Sequence, residues 1–252
     1  MIISHKHKYI FIKAVKVGGT SVELNLAKSC GADDIVTPLD EASEKKDTDL
    51  YSQPARNYDG FFGHDPLEEI KTKVGLDIWN NYFKFTIVRN PWDTIVSMYC
   101  WLKTSKEMRF SQISNHNKVL ANILNPRAYA FVISELAASA KHKISKNFMP
   151  NDFDFFIKHM DELNQTNKRY YFDSNGSAPC DAYLRYETLE KDYRKVCERL
   201  RIPYEKLPKT KNKSRTNRIH YSQYYNEESK QFVREKCKEE IAYFGYAFEN
   251  KN

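Results

Sequence analysis

The feature that most constrains this chain is a run of apolar residues, Tyr9 to Ala14, that passes directly into Lys16-Val17-Gly18-Gly19-Thr20-Ser21. β-Branched and aromatic side chains with little polar interruption predict a short buried strand. Thr20 followed three residues later by Glu23 has the form of a capping box, so a helix is expected with Thr20 as its N-cap. Val22, Leu26 and Ala27 share one side of that helix, and Gly31 is its expected stop. A strand feeding a helix through glycines makes an anion site, because the amides at the helix start point outward and the helix dipole favours negative charge. The turn is not a Walker A loop, which needs GxxxxGK[ST] with its lysine behind the glycines. Here Lys16 precedes them.

The same strand-to-helix grammar recurs. Phe83, Phe85 and Ile87 alternate with Lys84 and Thr86, predicting a strand over Tyr82–Val88. Asn90 and Pro91 then supply an N-cap and a first helical residue, and Trp92, Ile95, Val96 and Tyr99 form a core stripe. A further strand is expected at Ala182–Tyr186. The helix behind it carries Leu189, Tyr193, Val196 and Leu200, and a last helix carries Val233, Cys237, Ile241 and Phe244, closed by Gly245. Asp33–Gly60 is polar and expected to be largely loop, and Ser105–Asn151 to be a partly helical insertion. Strands alternating with helices imply an α/β fold with a mainly parallel central sheet flanked by helices. At 252 residues and 41% hydrophobic, the chain is expected to form one domain, 1–252.

Composition narrows the function. No apolar run approaches the roughly 20 residues needed to span a bilayer, and Tyr9–Ile12 is too short for a signal-peptide core, so a soluble, cytoplasmic protein is expected. Five scattered cysteines without a CxxC argue against both a disulfide framework and a zinc site, and no metal is expected. The net charge of +7 suits an anionic ligand.

Beside the glycine turn, the segment Phe85-Thr-Ile-Val-Arg89-Asn-Pro-Trp-Asp-Thr-Ile-Val-Ser97-Met-Tyr99 is informative. Together the two resemble the signatures with which sulfotransferases bind 3'-phosphoadenosine-5'-phosphosulfate (PAPS), in the carbohydrate, family 2-like branch. Phe62-Gly-His64-Asp-Pro-Leu, Leu184–Asp192 and Phe244–Phe248 also look like blocks of that family, in its usual order. The resemblance implies a P-loop-like sulfotransferase fold and sulfuryl transfer from PAPS to a hydroxyl of a glycan or glycolipid. Golgi members usually carry an amino-terminal membrane anchor; none is evident in this sequence, which favours a cytoplasmic enzyme or a trimmed Golgi-type catalytic domain.

The resemblance also assigns roles. Lys16 should meet the bridging oxygen, where charge builds as the sulfur–oxygen bond breaks. Gly18, Gly19, Thr20 and Ser21 should surround the 5'-phosphate, while Arg89 and Ser97 hold the 3'-phosphate. Lys213, Ser214 and Arg215, in the basic loop Lys209–Arg218, are further candidates for that phosphate. His64 is the expected base, since a histidine can accept the acceptor proton near neutrality, with Asp65 and Glu187 as reserve carboxylates. Three rival readings stand beside this one, the first a degenerate sulfotransferase that binds the nucleotide without chemistry, against which the intact Lys16 and His64 speak. A nucleotide-dependent kinase on a related fold would place its lysine after the glycines; a basic nucleic-acid-binding module would use Lys209–Arg218 and no PAPS.

Overall fold

The computed structural model describes residues 1–39, 55–109, 152–158, 166–208 and 219–251. They belong to two units, residues 1–89 with 167–212 and residues 90–166 with 213–252. In chain order the elements are β1 (Ile2–Ser4), β2 (Tyr9–Ile12), α1 (Gly19–Ser29), β3 (Ile35–Val36), α2 (Leu67–Asn81), β4 (Phe83–Val88) and α3 (Pro91–Arg109). They continue with α4 (Asp152–Lys158), α5 (Lys168–Tyr171), β5 (Ala182–Arg185), α6 (Leu189–Leu200), α7 (Glu227–Lys236) and α8 (Lys238–Phe244).

The first unit is built on a five-stranded sheet of order β3-β1-β2-β4-β5. β2, β4 and β5 run parallel, with Phe11 beside Phe85 and Ile87 beside Leu184. β1 is antiparallel to both β2 and β3. The sheet is therefore mixed, and the expectation of a mainly parallel one holds only for its β2-β4-β5 half. The reason lies in chain length. Only His5 to Lys8 separate β1 from β2, whereas a parallel crossover needs a dozen or more residues, so the chain turns back as a hairpin.

β2 and the apolar side of β4 form the core. Tyr9, Ile10, Phe11, Ile12, Phe85 and Ile87 are fully buried, and each contributes about 1.5–3 kcal/mol relative to exposure. The rings of Phe11 and Phe85 stack with centroids 5.2 Å apart. The alternation in β4 does not mark a wet face, because Lys84 and Thr86 are buried as well. Lys84 tolerates this by donating from Nζ to the carbonyls of Trp79 (3.0 Å) and Tyr82 (2.8 Å), with the Asp181 carboxylate at 3.2 Å.

In the second unit, α3 begins as the sequence predicts. The Asn90 side chain accepts the Trp92 amide at 3.1 Å and donates to the Ala247 carbonyl at 2.9 Å. Trp92, Ile95 and Val96 are buried, and the Trp92 indole donates to the Lys230 carbonyl at 3.1 Å. The expected last helix is two helices broken at Cys237, whose φ of −105° and ψ of 20° leave the helical region. The second restarts at once, so Val233, Cys237 and Phe244 all stay buried. Gly245 closes it in the left-handed region, as expected. The predicted insertion Ser105–Asn151 begins within α3, and its residues 110–151 lie outside the described residues. No described helix is long and apolar enough to cross a membrane.

Candidate anion-binding and catalytic site

Parallel strands β2 and β4 end at the same edge of the sheet, which places the residues that follow them together. After β2 the chain turns through Lys16, held at φ +61°, and Gly18, at φ +82°. A lysine in the left-handed region costs about 1–3 kcal/mol and persists only where its surroundings impose it. Gly18 is the N-cap residue of α1 and, having no side chain, makes no cap bond itself. The expected capping box is absent. The left-handed Gly18 starts the helix two residues earlier than predicted, placing Thr20 inside it. Glu23 is buried and bound to the Lys13 ammonium at 2.5 Å and to the terminal ammonium, so it cannot fold back on the helix amides. With glycine as its N-cap residue, α1 begins without an N-cap side chain over its leading amides, an arrangement that can receive an anion. Gly19 must also lack a side chain, since a Cβ there would lie 2.9 Å from Cγ of the buried Lys13.

Arg89 follows β4 and is largely buried. Its Nη1 donates to the Lys16 carbonyl at 2.7 Å, joining the two sequence signatures across 73 residues. Its guanidinium also lies 4.0 Å over the ring of Tyr186. That ring is the wall of the glycine turn as well, because a Cβ on Gly18 would meet Tyr186 Cε2 at 3.1 Å. Tyr186 is thus part of the arrangement. The predicted block Leu184–Asp192 contained it, but nothing local distinguished it from its neighbours.

His64 sits half-buried on the turn before α2. Its Nδ1 lies 2.9 Å from the Lys13 carbonyl. A carbonyl only accepts, so Nδ1 carries the proton and the neutral ring has its lone pair on Nε2. Asp65, a reserve carboxylate in the sequence reading, is buried and occupied. It accepts the Phe62 amide at 3.0 Å and the Lys73 ammonium at 2.7 Å, pinning the turn that carries His64. Glu187 is exposed on the 3-10 turn Tyr186–Thr188.

The first unit thus brings together Lys16, Gly18, Gly19, Thr20, Ser21 and Arg89, with His64 tied to the same strand end through Lys13. Ser97 belongs to the second unit, half-buried on α3. Lys213, Ser214 and Arg215, and the whole loop 209–218, lie outside the described residues. Among the described residues no three His, Cys, Asp or Glu side chains gather where they could hold a metal ion.

A family model described as the sulfotransferase family matches residues 1–247. No curated protein and no solved structure matches the chain.

Proposed function

Because the chain belongs to the sulfotransferase family over residues 1–247, we propose that it is a PAPS-dependent enzyme transferring a sulfuryl group to a carbohydrate-type hydroxyl, on a glycan or glycolipid. When bound, PAPS supplies the sulfuryl group. In this reading Lys16 holds its ammonium against the bridging oxygen, and the amides and hydroxyls of Gly18 to Ser21 hold the 5'-phosphate. The Arg89 guanidinium grips the 3'-phosphate, and His64 Nε2 takes the proton of the acceptor hydroxyl. The glycine N-cap of α1, which puts no cap side chain over the leading amides, fits such a nucleotide. The fold is P-loop-like in this reading, and one sulfotransferase domain spans both units, as the family match does.

The observation that carries the proposal is the 2.7 Å bond from Arg89 to the Lys16 carbonyl, which couples the residue assigned to one phosphate to the turn assigned to the other. The test is calorimetric titration with the product nucleotide, 3',5'-adenosine bisphosphate, with ATP as control. Saturable binding of the bisphosphate, weak binding of ATP and loss of binding in Arg89→Ala are expected. Lys16→Ala and His64→Ala should each lower sulfuryl transfer about a hundredfold or more, and His64→Ala should leave bisphosphate affinity intact. No binding of the bisphosphate by the intact protein overturns the proposal.

A further inference from the structure

Resting on that reading, we propose that residues 167–171 act as a brace that positions Lys16, His64 and Arg89, with Asn167, Tyr170 and Tyr171 as its positioning residues. Asn167 is buried, and its amide pairs with both backbone groups of Val15. It donates from Nδ2 to the Val15 carbonyl at 2.9 Å and accepts the Val15 amide at 3.1 Å. β2 has ended at Ile12, so this side chain does what a neighbouring strand would otherwise do. It fixes the backbone immediately before Lys16, the residue forced into the left-handed region.

The short helix α5 begins directly after Asn167 and carries two buried tyrosines. Tyr170 donates its hydroxyl to the His64 carbonyl at 3.2 Å, and Arg169 Nη2 donates to that same hydroxyl at 2.8 Å, which directs the phenol proton towards His64. Tyr171 donates to the Ile87 carbonyl at 3.1 Å, two residues before Arg89. Five consecutive residues therefore bond three segments, at sequence separations of 152, 106 and 84, and each segment carries one of the assigned groups. Phenylalanine would fill the same volume. The hydroxyls are what link these rings to the site-bearing backbone, and a buried phenol or amide left without its partner is costly. None of the three side chains needs to touch substrate to matter, because a misplacement of about 1 Å can cost a hundredfold in rate.

The test uses the full chain with Asn167→Ala, Asn167→Asp, Tyr170→Phe and Tyr171→Phe. Tyr204→Phe, which removes the hydroxyl that bonds Glu190, is the control. Nitrogen-15 NMR of the His64 imidazole reads its tautomer, and calorimetry with 3',5'-adenosine bisphosphate reads the Lys16 and Arg89 side. Tyr170→Phe should move His64 towards the Nε2–H tautomer while changing nucleotide affinity less than about twofold. Asn167→Asp and Tyr171→Phe should weaken the nucleotide about tenfold in proteins that still unfold cooperatively. The control should change neither reading. If all the folded variants keep the parental tautomer and affinity, or lose affinity only in step with melting temperature, the brace is merely structural and the proposal fails. Should the Asn167 variants not fold, the two Tyr→Phe variants decide. An intact protein that does not bind the bisphosphate defeats the functional reading instead, while the His64 tautomer still tests the brace.

Discussion

Gly18→Ala separates backbone strain from a steric effect that reaches Arg89. Gly18 sits at φ +82°, where an added Cβ would lie 3.1 and 3.2 Å from two carbons of the Tyr186 ring and 3.4 Å from Leu189 Cδ2. Gly176 has a similar φ, +76°, with nothing within 4 Å of such a Cβ. Gly176→Ala should therefore carry the left-handed penalty alone, about 1–2 kcal/mol. Gly18→Ala adds the displacement of Tyr186. That ring is 36% exposed and can move outward, so the low end of the overpacking range, about 1 kcal/mol, applies. The sum of about 2–3 kcal/mol corresponds to a fall of roughly 4–12 °C in melting temperature for a chain of this size. The two variants should differ further in function, because the displaced ring is the one beneath the Arg89 guanidinium. Bisphosphate affinity should fall in Gly18→Ala and hold in Gly176→Ala, measured by calorimetry beside thermal unfolding. Equal melting temperatures and equal affinities in the two would refute the role given to Tyr186.

Two further predictions concern buried titratable groups. Burial works against the Glu23 carboxylate, but Lys13 and the terminal ammonium outweigh it and hold its carboxyl below the ordinary 4.5. The native state thus takes up this proton less readily than the unfolded chain, so the stabilisation is present above about pH 4.5 and is lost as pH falls through the lower native value. Glu23→Gln should cost about 3–5 kcal/mol at neutral pH and flatten the acid limb of the stability curve; an unchanged limb in denaturant titrations would count against the pair. Burial likewise pushes the thiols of Cys30 up to about 11 and Cys180 up to about 12. At pH 8 the native protein should alkylate roughly a hundredfold slower than free cysteine at Cys30 and roughly a thousandfold slower at Cys180, with all five free cysteines reacting on unfolding. Rapid labelling of either thiol in the native state would refute the protection assigned to it.

What the sequence disclosed follows the range of the forces involved. β2, β4, β5, α3 and α6 announce themselves through short-range signals: apolar runs, the Asn90-Pro91 start and the helical spacing of Tyr193 and Val196, both of which are buried. The glycine turn was equally visible, since Gly18 is required by a local backbone angle. α2 carries a local signal as well, Pro66 ahead of Leu67 and Ile70. The capping box failed for a different reason. Thr20 and Glu23 satisfy the local pattern, but a buried ammonium ten residues upstream competes for the carboxylate and wins, because a charge-assisted pair outweighs a cap bond. The resemblance to sulfotransferases named Lys16, His64 and Arg89, residues whose own chemistry is needed. It could not name Asn167, Tyr170 or Tyr171, whose contribution is one or two bonds to a distant backbone segment and leaves no periodicity or spacing in the chain. Groups that react and groups that hold them are therefore recorded differently. The first can be read from residue type, while the second exist only once the chain has closed on itself, so a substitution as mild as Tyr170→Phe can act on chemistry that the sequence places 106 residues away.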